Sequence, residues 1–229
     1  MAMGYAWAVH LIQSQTFMNA INLGNIGSLL CIGAHCDDIE IGCGGTVLRL
    51  LREQPALRCT WVIFAGEDGR AKESAAAARR FGGAVGRIDL RFLDFRASYF
   101  PAQYAAIKDA FEQLKAISPD LVLTHYLHDR HQDHALLAEL TWNTFRGQSV
   151  LEYEIPKFEG DLGHPNTFVS MSRDDLDLKV GILMDCFLSQ QTRSWFTPDT
   201  FRAIARIRGV ECASPSGFAE AFHARKLRL

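Results

Sequence analysis

An apolar run, Leu29-Leu30-Cys31-Ile32, passes through Gly33-Ala34 and stops at His35-Cys36-Asp37-Asp38, with Glu40 two residues on. Packing alone does not end a strand in an imidazole and adjacent carboxylates, because desolvating charge is costly unless a partner or a metal compensates. Histidine and aspartate at this spacing can bind a divalent cation. A catalytic zinc site uses three such protein ligands and keeps one position open. A second cluster supplies more of the same chemistry: His125, His128, His131 and His134 recur every three residues, with Asp129 and Asp133 among them. Any one of these histidines alone reads as part of a solvated loop. Together they follow an apolar strand and run into an amphipathic helix, which fixes their geometry.

The two clusters combine into one candidate site. His35 and Asp38 need a third ligand, and His134 is the best placed because it is nearest the helix. Asp37 would stand beside the metal, free to take a proton from the attacking water and give it later to a leaving group. His131 can stabilise an oxyanion, and Asp133 can hold an imidazole in one tautomer. Zinc is the expected cofactor, although iron or cobalt also suits mixed nitrogen and oxygen ligands.

These residues need a frame. Residues 28–34, 60–65 and 121–124 read as buried strands, and 88–92 as a strand with one wetter face. Helices are expected over 44–53, over 71–81 with a glycine C-cap at Gly82-Gly83, from Pro101 to Ser118-Pro119, and over 132–145. Apolar strands alternating with helices imply a three-layer α/β/α fold with a Rossmann-like, mainly parallel sheet. Ligands in such sheets sit beyond the carboxyl ends of the strands, where the polar clusters fall. Gly42-Cys43-Gly44-Gly45 reads as a tight turn bringing the metal loop to the helix rather than as a phosphate cradle. Beyond residue 150 the pattern loosens.

The chain has 229 residues, 48% apolar and 22% charged, with a net charge of −2. That balance describes a globular protein and gives no sign of a nucleic-acid binder. Six scattered cysteines without a C-x-x-C pair fit a reducing, cytoplasmic setting. Residues 1–36 carry no Lys, Arg, Asp or Glu, yet polar residues interrupt them, so no membrane span is expected. Residues 1–27 read as an N-terminal extension of unassigned role, and 28–229 as one domain.

Ala34-His35-Cys36-Asp37-Asp38-Ile39-Glu40 with Gly44-Gly45-Thr46 resembles the A-H-P-D-D-x-E and G-G-T signature of the LmbE-like, or PIG-L, zinc-dependent N-deacetylases. His131-Gln132-Asp133-His134 matches that family's H-x-D-H. Arg70 and Glu73, Ser189-Gln190, and Gly217 to Phe222 resemble shorter family elements. The resemblance implies a single catalytic domain with His35, Asp38 and His134 as zinc ligands. It further implies Asp37 as general base and acid, His131 as oxyanion partner with Asp133 orienting it, and Arg70 as a substrate contact. The implied substrate is an N-acetylated amino sugar within a small molecule or glycoconjugate. Cys36 departs from the pattern, where proline is usual, and reads as a small side chain packed beneath the turn. Two alternatives remain: a non-catalytic sugar- or nucleotide-sugar-binding subunit, and an amidase for another acyl group. Asp174, Asp175 and Asp177 read as a solvated helix start, Tyr153, Trp195 and Phe196 as core, and His125 and His128 as residues of the pocket entrance.

Overall fold

The computed structural model describes residues 24, 26–66, 68–83 and 87–226. Nearly all of the segment read as an N-terminal extension lies outside them. Among the described residues seven strands form one sheet: β1 (Ser28–His35), β2 (Arg58–Ala65), β3 (Ile88–Phe92), β4 (Leu121–His125), β5 (Ser149–Tyr153), β6 (Thr167–Ser170) and β7 (Ala219–His223). Their order is β3-β2-β1-β4-β5-β7-β6. The first five strands pair in parallel, and β7 joins β5 and β6 antiparallel. Strand order reverses between β1 and β4, the position where doubly wound sheets open a crevice.

The helices are α1 (Asp38–Glu53), α2 (Asp68–Gly82), α3 (Tyr104–Leu114), α4 (Gln132–Thr144), α5 (Arg173–Cys186) and α6 (Pro198–Glu211). One core lies between the sheet and α1, α2, α5 and α6, and includes Trp61, Phe81, Tyr153 and Phe187. The other lies beneath α3 and α4, around Phe64, Phe100, Ile107, Phe111 and Leu137. Strands covered on both faces need apolar residues at every position, and β1 is buried along all but its last residue. β3 sits at the sheet edge, so its alternation leaves Asp89 and Arg91 exposed. No helix among the described residues is long and apolar enough to cross a membrane.

One expectation fails. The glycine-rich stretch is not a turn: α1 begins at Asp38 and runs through Gly42, Gly44 and Gly45. Interior glycines weaken a helix by about 1 kcal/mol each relative to alanine, but here they make room for neighbours. A Cβ on Gly42 would lie 2.2 Å from the Tyr153 ring, one on Gly44 2.9 Å from Phe81, and one on Gly45 2.0 Å from Met171 Sδ. The same stretch is held from outside. Glu220 of β7 accepts from the backbone N–H groups of Gly45 and Thr46 and from the Thr46 hydroxyl. Lys179 of α5 donates to Ile41 O and pairs with Glu220 at 2.6 Å.

Both charges are buried, so removing one partner strands the other, a change that costs roughly 3–5 kcal/mol. Glu220→Ala is therefore expected to lower the melting temperature by roughly 6–20 °C. The double change Glu220→Leu with Lys179→Met is expected to recover only the part due to the stranded charge, because the Gly45 and Thr46 donors still lose their acceptor. A thermal melt of Glu220→Ala matching wild type contradicts this role.

Candidate metal centre

The site forms where β1 and β4 end side by side. His35 is the last residue of β1, and Asp37 and Asp38 turn the chain into α1. Asp37 takes φ 110°, a left-handed conformation rare outside glycine and most accessible to Asn and Asp. Such strain concentrates at functional positions. Asp38 Oδ2 accepts from the backbone N–H of His35 at 2.7 Å, closing the turn. From the other side, β4 delivers His125, and the following loop leads to His131, which caps α4 by accepting the Asp133 N–H on Nδ1 at 3.3 Å. His134 lies buried in the first turn of α4.

Three of the expected donors converge. His35 Nδ1 lies 3.2 Å from His134 Nε2 and 3.4 Å from Asp38 Oδ2, and His134 Nε2 lies 3.5 Å from the same oxygen. Zinc–ligand bonds of about 2.0–2.1 Å in a tetrahedron put donors about 3.3–3.4 Å apart, so this triangle has the dimensions of one tetrahedral face. The remaining nitrogen of each imidazole meets a carboxylate. His35 Nε2 is 3.0 Å from Asp133 Oδ2, and His134 Nδ1 is 3.0 Å from Asp129 Oδ2. Such partners fix the tautomer and leave the inward nitrogen free to ligate.

Among the described residues two other groups of donors also lie close together: His35, His131 and Asp133, and His125, Asp129 and His134. Their acids are already committed. Asp133 accepts from Ser98 N and Phe100 N. Asp129 accepts from His131 N and from Lys157 Nζ. His125 Nε2 accepts from Ala34 N at 2.9 Å. The first triangle therefore fits a cation best.

Placement differs from expectation in several respects. Asp133 touches His131 through its backbone N–H, while its carboxylate serves His35. His125 is fully buried beneath the site, not at an entrance; its Nδ1 has no hydrogen-bond partner among the described residues. Asp129 and Lys157 carried no assigned role, because nothing in the sequence marks which loop lysine will reach a given aspartate. Cys36 is buried, 3.7 Å from Ala65 O. Burial pushes its thiol up to about 12, so it offers no thiolate. Arg70 of α2 donates to Asp37 Oδ1 at 2.9 Å and to Cys36 O. One turn on, Glu73 accepts from both the backbone and the hydroxyl of Ser189, joining two short stretches noted in the sequence.

The electrostatics separate two aspartates one residue apart. Burial raises the Asp37 carboxyl to about 7, against the pull of Arg70. Burial acts on Asp38 in the same sense, but the His134 and His125 imidazoles outweigh it and hold its carboxyl well below the usual range. Burial lowers His134 to about 4 and also lowers His131, so both are neutral at neutral pH. For His35, burial is overcome by Asp133 and Asp38, which raise it to about 10.

A metal must displace the proton on His35, so between about pH 4, where His134 also protonates, and about pH 10 binding releases one proton and tightens about tenfold per pH unit. Calorimetric titration of the metal-free protein with zinc, in buffers of different ionisation enthalpy, measures this. Zinc binding without proton release contradicts the assigned charge state.

Residues 30–145 match the profile of the PIG-L family, GlcNAc-PI de-N-acetylase. A protein of Escherichia coli strain K12, described as the uncharacterized deacetylase YaiS, is 30% identical over 166 residues, 68% of this chain and 88% of that protein. The chain belongs to the PIG-L family. The family's fold recurs in solved structures. An N,N'-diacetylchitobiose deacetylase from Pyrococcus horikoshii is similar with a TM-score of 0.66 and 22% identity, covering 87% of this chain and 84% of that one. The 4-carboxy-2-hydroxymuconate hydratase GalB from Pseudomonas putida KT2440 is similar with a TM-score of 0.70 and 20% identity, covering 88% and 97%. One architecture thus carries different chemistries, and the residues at the strand ends must decide between them.

Proposed function

We propose that this PIG-L family member is a metal-dependent hydrolase that removes the acetyl group from an N-acetylated amino sugar. One observation carries the reading: His35 Nδ1, Asp38 Oδ2 and His134 Nε2 form a triangle of zinc dimensions beside a carboxyl tuned to about 7. His35, Asp38 and His134 would hold the cation, which when bound supplies Lewis acidity toward the amide carbonyl. The chain's own groups do the rest. Asp37, buried and near neutral pKa, removes a proton from the attacking water and returns it to the departing amine. His131 is neutral with Nδ1 occupied by the Asp133 N–H, so its Nε2–H is free to donate to the carbonyl oxygen as that oxygen gains charge. Asp129 and Asp133 hold the two ligand imidazoles in place. A cytoplasmic setting belongs to the same proposal, since all six cysteines are free thiols.

Acetate release from N-acetylglucosamine conjugates by zinc-loaded protein, lost on chelation and regained on readdition, is the expected result. Saturable binding of N-acetylated sugars with no hydrolysis under zinc would instead mark a binding subunit. Formate released from N-formyl sugars in preference to acetate would mark a different acyl group.

Arg70 provides a check through pH. Its positive charge holds Asp37 below where burial alone would set it. Arg70→Gln therefore raises that pKa, and because the base must be deprotonated, the acid limb of kcat/KM moves to higher pH. An unmoved limb separates Arg70 from the ionisation of Asp37.

A further inference from the structure

The amino ends of β1, β2 and β3 open a cavity of about 650 Å³ at the other end of the sheet from the metal centre. β1 starts beside it at Ser28 and reaches the centre at His35, about 23 Å away at the rise of a strand. Strand alternation places Ser28, Arg58 and Thr60 in step with Leu30, Ile32 and Val62, on the face that α3 covers. Asp89 and Arg91 pair in register with Thr60 and Val62 and share that face. Gln113, Ala116 and Ile117, where α3 runs out, close the far wall.

The lining is basic, in a chain whose net charge is −2. Arg58, Arg87 and Arg91 face a single carboxylate, Asp89. That acid is already engaged: Asp89 Oδ2 accepts from Nε and Nη2 of Arg91 at 2.9 and 2.6 Å. Arg87 Nη1 donates to Leu51 O, which holds the guanidinium in place without neutralising it. The Arg58 side chain is exposed and has no hydrogen-bond or ion-pair partner among the described residues. Residues 1–27 and 84–86, the segments that lead into β1 and β3, carry no Asp or Glu. The chain itself therefore brings no counter-charge from either.

Guanidinium groups match the oxygens of a phosphoryl group two at a time. The volume lies in the range of small-molecule sites and exceeds what a bare phosphate fills. Pro55, Leu57, Ile88 and Ile117 supply apolar wall for the remainder of a ligand. We propose that this cavity binds a small phosphate ester, with Arg58, Arg87 and Arg91 on the phosphoryl group and the organic part against the apolar wall. The site is remote from the metal centre, so its occupant is not the molecule whose amide is cut, and the proposal does not depend on the deacetylase reading.

Calorimetric titration of the zinc-loaded protein with ADP, glucose 6-phosphate, inorganic phosphate and citrate tests this, in wild type, Arg58→Gln and Arg91→Gln. At least one ester is expected to bind more tightly than inorganic phosphate and citrate. Each substitution is expected to weaken that ester about tenfold or more, the effect of losing one charge-assisted contact. Zinc content stays unchanged. Arg58 is exposed and unpaired, so Arg58→Gln leaves the fold intact. A phosphate ligand captured by the metal instead would bind equally well in both variants, and that result overturns the proposal. Inorganic phosphate binding as tightly as both esters overturns the organic ligand, and citrate doing so overturns the preference for phosphate. Absence of binding by either ester at millimolar concentration overturns the site.

Discussion

Asp37→Asn is expected to lower kcat by about 10²–10⁴, the usual contribution of a positioned general base, with zinc content unchanged. Asparagine is the informative replacement. Asp37 sits at φ 110°, where Asn is tolerated almost as well as Asp and bulkier residues are not. The amide oxygen can still accept from Arg70, so the turn into α1 and the ligand triangle are preserved. The only loss is a group able to take up a proton. Burial has tuned that group to about 7, which suits a residue that must accept a proton from water and surrender it to an amine within one turnover. Steady-state kinetics with metal analysis of the same preparation decides the matter. A kcat within tenfold of wild type removes Asp37 from the role of base.

His134→Ala is expected to abolish metal retention and to drop activity to that of the chelated wild type. Its Nε2 is one corner of the triangle, and the neighbouring imidazole nitrogen that also reaches Asp38 Oδ2, His125 Nε2 at 3.3 Å, is engaged with Ala34 N. Asp129→Asn should behave differently. It disturbs the imidazole from behind without removing a ligand, and such changes weaken metal binding by about 10–100-fold. Activity in Asp129→Asn should therefore return at high zinc concentration, while His134→Ala stays inactive. If zinc rescues both equally, His134 is not a direct ligand.

Much of this arrangement was legible in the residues. The apolar run into His35 marked β1 and its end, because a strand buried on both faces has no place for polar side chains until it leaves the sheet. The three-residue recurrence of histidines marked the segment between β4 and α4. Arg70 was separable from other arginines only by family likeness, and it does meet Asp37. What escaped notice depends on long-range packing. Only the glycine-rich first half of α1, Gly42 to Gly45, reads as a turn, because helix propensity is local, whereas its stability comes from Tyr153, Phe81, Met171, Lys179 and Glu220. The last third was unreadable for a related reason. β6 is only four residues long, β7 buries the charged Glu220 in place of an apolar residue, and α5 buries a lysine that an amphipathic pattern would place outside. The burial of His125 and the link from Lys157 to Asp129 appear only once the loops are in place.

Anomalous diffraction at the zinc edge from crystals of the metal-loaded protein tests the central claim most directly. A single strong peak bonded to His35 Nδ1, Asp38 Oδ2 and His134 Nε2 is the expected result. A peak held by His125, Asp129 and His134, or no peak near His35, contradicts it.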